Sequence, residues 1–167
     1  MSTPVLRNYL PLLQSLRARG TRVERMQCVV DAVWRGFCSS GVSWVGFYVI
    51  DPENSEQMLL GPRRDKPACS PIGMHGACGR AFLSQRPLVV TDVANLGAGY
   101  IACDPRDRAE VVVPLFEQNG ACYGVLDIDS HETGAFETHD ALCLMRLLRH
   151  VGLSDRFSED DADIEVV

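Results

Sequence analysis

The sequence feature that most constrains the fold is a pair of apolar runs joined by Asn119-Gly120. The first run extends from Val111 to Phe116, and the second follows the dipeptide and ends in two carboxylates. Asn-Gly between two such runs is the strongest short-range signal for a β-hairpin, because a type I′ turn needs a positive φ at both central residues. We therefore predict an antiparallel hairpin with a type I′ turn over this stretch.

The two carboxylates, Asp127 and Asp129, share one face of the second strand, because side chains alternate between the faces of a strand. Glu110, at the start of the partner strand, can lie beside them across the hairpin. Left ionised and unpaired in a core, these groups would carry a desolvation penalty, so the pattern indicates a pocket that holds a ligand. Cys103 lies on the polar loop before the hairpin and places a thiol at the rim of this acidic pocket.

Helices are predicted at both ends of the chain, with strands between them. Apolar residues repeat at helical spacing over 5–18, with a break near Leu10 imposed by Pro11, and again after a capping box formed by Thr21 and Glu24. Residues 138–151 form a C-terminal amphipathic helix. Together with about six strands, this order is typical of an α+β domain with a mainly antiparallel sheet. We predict one domain over residues 1–153, with N-terminal helices at 5–38.

The net charge of −6 is concentrated at the C-terminal end, where six acidic residues and one basic residue follow position 154. We predict that residues 154–167 are an acidic, disordered tail.

The rest of the chain has no basic stripe for nucleic acid, no apolar run near the roughly 18 residues of a membrane span, and no signal-peptide pattern. We therefore expect a cytoplasmic protein that binds neither nucleic acid nor membranes.

Residues 43–50 are rich in aromatic and β-branched side chains and predict a strand. Trp44 and Tyr48 fall on one face and flank Gly46. We interpret the glycine as leaving space for a small ligand and the aromatic rings as walls that suit a thioether or a sulfoxide methyl group. The alternative is a strand that is simply buried on both faces.

Seven cysteines occur without any Cys-x-x-Cys pair, at positions 28, 38, 69, 78, 103, 122 and 143. The spacing gives neither a zinc motif nor a thioredoxin-like motif, so we predict no metal site. In a reducing compartment such cysteines are either inert buried thiols or take part in transient redox chemistry.

Cys69 lies between two prolines and is predicted to be accessible. Cys78 follows a glycine-rich turn near a helix N-terminus, where the helix dipole would favour its thiolate.

Three motifs resemble those of the free methionine-(R)-sulfoxide reductases, which are single-domain GAF proteins that reduce the free amino acid. They are Tyr-Ile-Ala-Cys-Asp at 100–104, Glu-Val-Val-Val-Pro-Leu at 110–115 and Gly-Val-Leu-Asp-Ile-Asp-Ser at 124–130. The resemblance covers roughly residues 41–152 and fits the N-terminal helices more loosely. It implies that Cys103 is catalytic, that Cys69 is the resolving thiol and that Cys78 is a second redox-active thiol.

The resemblance also assigns substrate-binding and catalytic roles to the pocket, namely the acids Glu110, Asp127 and Asp129 and the aromatic wall of Trp44 and Tyr48. Thioredoxin would reduce the disulfide between the catalytic and resolving thiols, so no bound cofactor is expected. Dimers are common among these reductases, and a homodimer is an expectation here. The chain departs from the pattern at Tyr100, where histidine is common, and at Arg80, where a small residue follows Cys-Gly.

The chemistry of such a reaction needs an ionisable thiol, a proton source and a second thiol that resolves the sulfenic acid. Cys103 is the candidate attacking thiol, Cys69 and Cys78 are the candidate resolving thiols, and any of the three acids can be the proton source. Three other interpretations remain: a small-molecule-binding GAF sensor without turnover, a thiol-based oxidation sensor, and a structural role for every cysteine. Neither the small-molecule sensor nor the purely structural role explains why three cysteines would surround one pocket.

Overall fold

The computed structural model describes residues 6–64, 68–100, 102–156 and 163–167. Its helices are α1 (Leu10–Ser15), α2 (Arg22–Phe37), α3 (Ala77–Ser84) and α4 (Thr138–His150), with short 3₁₀ turns at Cys38–Ser40 and Val93–Leu96. Its strands are β1 (Trp44–Asp51), β2 (Asn54–Arg64), β3 (Ile72–Gly73), β4 (Leu88–Val90), β5 (Ala109–Phe116), β6 (Cys122–Ser130) and β7 (Glu165–Val166). Within these ranges, no helix is both long and apolar enough to cross a membrane.

In the described part of the chain, the strands form one seven-stranded sheet in the order β3-β2-β1-β6-β5-β4-β7. Every neighbouring pair is antiparallel except β4 and β7, which run parallel. The predicted α+β class with a mainly antiparallel sheet is therefore confirmed. The sheet has seven strands rather than about six because the C-terminal segment contributes β7.

The sheet separates two apolar layers. On one face Phe47, Leu126 and Ile128 pack with residues of α1, α2 and α4 in a helix-side core. On the other face Trp44 and Tyr48 pack with residues of α3 in a smaller site-side core. The alternation predicted for the first strand is confirmed, and it divides the sheet into a structural face and a face that is open to function.

Local sequence signals explain where the N-terminal helices begin. Thr21 Oγ1 accepts a hydrogen bond from the Glu24 backbone N–H, and a Glu24 carboxylate oxygen accepts one from the Thr21 N–H, which is the predicted capping box. The helical stretch predicted over 5–18 is shorter in the structure. Among residues 6–18, only Leu10–Ser15 is helical, because Pro11 is tolerated in the first turn and therefore starts the helix there.

The hairpin between β5 and β6 is confirmed, but the predicted type I′ turn is wrong. Only Gly120 has a positive φ in this turn, at 85°. Its N–H donates to the Glu117 carbonyl at 2.9 Å, and the pairing shifts register between Leu115 and Phe116. The glycine takes the left-handed position alone, which allows Asn119 to keep a negative φ.

The last residues of the chain are ordered, so the predicted disordered tail is wrong for residues 163–167. β7 pairs with β4, the Ile164 side chain lies buried in the helix-side core, and Glu165 forms an ion pair with Arg80. Ser154 is also buried, and its Oγ accepts a hydrogen bond from the Phe116 N–H. Burial of the Ile164 side chain and pairing with the edge of β4 thus outweigh the acidic composition. Residues 157–162 of the predicted tail lie outside the described residues.

Candidate active site

Three carboxylates lie together on the site-side face of the hairpin. Glu110 is directly opposite Asp129 in the pairing of β5 with β6, and Asp127 lies two residues along the same face. Glu110 and Asp127 are each only 5% exposed, and Asp129 keeps more contact with solvent. The strand register therefore produces the acidic pocket that the sequence predicts.

Burial and mutual repulsion perturb all three acids. The pKa of Asp127 is raised well above its ordinary value by burial and by the charges of Asp129 and Glu110. Burial and Glu110 likewise raise the pKa of Asp129. Burial also raises the pKa of Glu110, although hydrogen bonds from Asp127 and Tyr100 oppose this effect. Asp127 Oδ1 is buried without a hydrogen-bond partner among the described residues, so the cluster is suited to hold a proton or an organic cation.

The aromatic wall is formed by Trp44 and Tyr48 of β1, whose ring centroids are 6.1 Å apart. Trp44 lies opposite Asp129 in the pairing of β1 with β6, and the Tyr48 hydroxyl donates to the Cys69 carbonyl at 2.9 Å. The interpretation of Gly46 as space for a ligand is wrong. A Cβ at Gly46 would lie 2.3 Å from the Trp44 ring, so the glycine makes room for the indole itself.

Cys69 and Cys103 form a disulfide at the rim of the pocket, with their Cα atoms 5.8 Å apart. Both residues are exposed, which confirms the predicted accessibility of Cys69. Cys78 is instead buried on α3, one residue after the helix begins. Burial and the charges of Asp127 and Glu110 raise the pKa of its thiol, so the prediction that the helix dipole favours a thiolate is wrong. Desolvation and nearby carboxylates outweigh the dipole at this position.

All eight side chains singled out from the sequence line one cavity of about 550 Å³. They are Trp44, Tyr48, Cys69, Cys78, Cys103, Glu110, Asp127 and Asp129. The disulfide is exposed, two of the three carboxylates are buried and the aromatic rings form one side. The cavity therefore brings thiol chemistry, acid groups and an apolar surface within reach of one small molecule.

Several lining residues were not predicted as part of the site. The Tyr100 hydroxyl lies 3.3 Å from a carboxylate oxygen of Glu110. Ser43 precedes the aromatic strand, and its Oγ is buried without a hydrogen-bond partner among the described residues. Asp104 and Arg106 form an ion pair on the loop that carries Cys103. The proximity of Tyr100 to Cys103 in sequence is the one signal that could have identified it.

Among the residues that the structure describes, two groups of side chains have donor atoms within 4.8 Å of one another, close enough to share a metal ion. One is Cys78 with Glu110 and Asp127, and the other is Asp104 with Asp107 and His131. In each group, donors are already engaged, by Tyr100 in the first and by Arg106 in the second. We therefore treat both as hydrogen-bonded clusters and identify no metal ligands.

Comparison with known proteins places this site in a family. Residues 22–154 match the family model of the GAF domain. The GAF domain-containing protein A of Dictyostelium discoideum is 33% identical over 144 residues, which cover 85% of this chain and 87% of that protein. The free methionine-R-sulfoxide reductase of Saccharomyces cerevisiae is 34% identical over 125 residues, which cover 73% of this chain and 69% of that protein.

A solved structure extends the similarity to three dimensions. The X-ray structure of free methionine-R-sulfoxide reductase from Neisseria meningitidis in complex with its substrate matches with a TM-score of 0.75 and 34% sequence identity. The match covers 85% of this chain and 83% of that chain. The predicted GAF fold is thereby confirmed. The chain belongs to the GAF-domain family and, within it, to the group of the free methionine-R-sulfoxide reductases.

Proposed function

We propose that this protein reduces free L-methionine-(R)-sulfoxide to L-methionine, with Cys103 and Cys69 supplying the two electrons and thioredoxin restoring both thiols. The observation that carries the proposal is a cavity lined by the Cys69–Cys103 disulfide, by three clustered carboxylates and by an aromatic wall. A ligand with an ammonium group and an apolar sulfur-containing chain complements both surfaces. The names of the related proteins support the same substrate.

Substrate binding follows from the charges and shapes in the cavity. The ammonium group lies at the carboxylates, where it compensates like charges that burial has brought together. The sulfoxide methyl group packs against Trp44 and Tyr48, since aromatic rings favour contact with polarisable sulfur groups. This orientation directs the sulfoxide sulfur towards the rim that carries Cys103.

In the chemical step, the Cys103 thiolate attacks the sulfoxide sulfur. The sulfur–oxygen bond of the substrate breaks, the oxygen is transferred to the Cys103 sulfur and a proton is taken up, which leaves methionine and a cysteine sulfenic acid. The Cys69 thiol then attacks the sulfenic sulfur and releases water, and the disulfide forms. The substrate gains two electrons, and the two thiols lose them.

The proton for the first step comes from the carboxylate cluster. Because burial and repulsion raise the pKa values of Asp127 and Asp129, these carboxyl groups hold a proton to a higher pH than exposed aspartic acids do. Cys78 lies beside Asp127, and its thiol pKa is raised, so it is not suited to be the attacking nucleophile. We assign it the role of a second redox-active thiol. The exposed Cys69–Cys103 disulfide is open to thioredoxin, and a homodimer remains a prediction.

The proposal is tested by a single-turnover experiment without thioredoxin. Reduced protein is mixed with excess (R)-sulfoxide, and methionine and free thiols are counted per chain. The wild type should yield about one methionine and lose two thiols. Cys69→Ser should also yield about one methionine per chain, and Cys103→Ser none. Cys28→Ser, which changes an exposed cysteine outside the cavity, is the matched control and should behave as the wild type.

The main alternative is a thiol redox sensor without turnover, which the exposed disulfide also suits. A sensor forms the same disulfide when peroxide is added, but it produces no methionine and does not distinguish sulfoxide epimers. Repeated turnover by Cys103→Ser would rule out the proposed mechanism. Disulfide formation with peroxide and none with sulfoxide would favour the sensor.

A further inference from the structure

Tyr100 connects the loop that carries Cys103 to the acidic floor of the cavity. It lies three residues before Cys103, and its backbone N–H donates to the Gly97 carbonyl at 3.2 Å. Its hydroxyl donates to Glu110 Oε2 at 3.3 Å, and its ring packs against the site-side core. Tyr100 is therefore held at its backbone by the loop and at its hydroxyl by one particular carboxylate.

We infer that Tyr100 is a positioning residue that keeps Glu110 ionised and leaves the proton of the carboxylate cluster on the aspartates. The inference rests on the proposed function and deepens it, because it separates the carboxylate that binds the substrate ammonium group from the carboxyl group that donates the proton. Glu110 would be the anion, and Asp127, which donates to it, would be the acid.

The surroundings of Glu110 support this division. Among the described residues, the titratable groups that interact with it from neighbouring elements are Asp127 and Asp129 on β6, Cys78 on α3, Tyr48 on β1 and Tyr100 on the preceding loop, while Asp107 on the same loop interacts with Asp129 and Tyr100. Among these, Asp127 and Tyr100 donate hydrogen bonds to Glu110 and lower its pKa against the effect of burial. Burial and Glu110 raise the pKa of the Tyr100 phenol, so its hydroxyl keeps the proton that it donates to Glu110.

Removal of the phenol hydroxyl should move the proton. In Tyr100→Phe the Glu110 carboxylate loses one of its two donors, its pKa rises, and it competes with Asp127 for the shared proton. Part of the negative charge then moves from Glu110, which binds the ammonium group, to Asp127. We expect KM for the sulfoxide to rise about fivefold near neutral pH, with a smaller change in kcat, from the loss of one hydrogen bond.

The first test needs no turnover. Glutamate carboxyl groups are labelled with ¹³C and titrated by NMR in the disulfide form, and the Glu110 signal is assigned with Glu110→Gln. In Tyr100→Phe the Glu110 signal should titrate at a higher pH than in the wild type. Tyr123→Phe is the matched control, since it removes a phenol hydroxyl that bonds to the Leu153 carbonyl away from the cavity. It should leave the Glu110 titration unchanged.

The second test is a double-mutant cycle on KM. If Tyr100 acts through Glu110, Tyr100→Phe should raise KM in the wild-type background and not in Glu110→Gln. Tyr100→His, which keeps a ring N–H donor, should restore part of the wild-type KM and provides a second variant if the phenylalanine variant does not fold. An unchanged Glu110 titration, or an equal effect of Tyr100→Phe in both backgrounds, would overturn the inference. Absence of sulfoxide reduction by the wild type would overturn the proposed function instead, and the NMR titration would still decide the role of Tyr100.

Discussion

Replacement of Asp127 by asparagine should stabilise the folded protein at neutral pH while it impairs catalysis. Asp127 is 5% exposed, and its Oδ1 has no hydrogen-bond partner among the described residues. Its ionised form also faces the charges of Asp129 and Glu110. An asparagine removes one of the repelling charges, and its amide can donate to Glu110 as the protonated aspartic acid does.

The magnitude follows from the coupling between folding and protonation of this carboxyl group. A one-unit rise in the pKa of a buried acid costs about 1.4 kcal/mol of stability above the raised value, so Asp127→Asn should raise the free energy of unfolding by about 1–3 kcal/mol near neutral pH. For a domain of this size each kcal/mol raises Tm by about 2–4 °C. The same variant should lose most of its turnover, because an amide has no acidic proton to give to the departing sulfoxide oxygen.

The sign of the pH dependence follows from the raised pKa of Asp127. Between the ordinary value of 3.8 and the raised value in the folded protein, the folded state binds more protons than the unfolded state. The wild type therefore loses stability as the pH rises through this window. The advantage of Asp127→Asn should be largest near neutral pH and should shrink as the pH falls towards the ordinary aspartate value.

Urea unfolding of the disulfide form, followed by fluorescence at several pH values between about 4 and 8, measures this effect. Asp155→Asn is the matched control, because Asp155 is exposed and lies outside the cavity. Its stability should follow the wild-type curve. A variant at position 127 that is no more stable than the wild type near neutral pH, with the same pH dependence, would refute the claim that burial and the neighbouring carboxylates raise the pKa of Asp127.

Two further substitutions and one deletion test other parts of the structure. Gly46→Ala places a Cβ 2.3 Å from the Trp44 ring, so it should destabilise the fold by about 1–3 kcal/mol and raise KM, measured by melting and by steady-state kinetics. Deletion of residues 163–167 uncovers the edge of β4 and should lower Tm without a change in the single-turnover yield. Asp140→Ala leaves the buried Arg7 guanidinium without its carboxylate partner and should cost about 3–5 kcal/mol in urea unfolding.

The sequence predicts the acidic pocket well because strand periodicity and one hairpin are sufficient to place it. Once Asn119-Gly120 pairs the two runs, Glu110 falls opposite Asp129, and Asp127 follows on the same face. Local pattern determines all three positions. Accessibility of Cys69 follows in the same way from the prolines around it.

Features that depend on tertiary contacts could not be predicted. The direction of the Trp44 ring over Gly46 depends on a side-chain rotamer, and the burial of Cys78 depends on how α3 packs onto the sheet. The composition of the tail conceals Ile164, whose burial becomes visible only when β4 offers an edge. For Tyr100, the sequence gives its distance from Cys103 but not the carboxylate that its hydroxyl reaches.

The most direct test of the proposed activity is NADPH consumption in the presence of thioredoxin and thioredoxin reductase. Free L-methionine-(R)-sulfoxide and the (S) epimer are supplied separately to the wild-type protein. The proposed function predicts sustained NADPH oxidation with the (R) epimer alone, and none with either epimer for Cys103→Ser. No turnover of either epimer by folded protein with reduced thiols would contradict it.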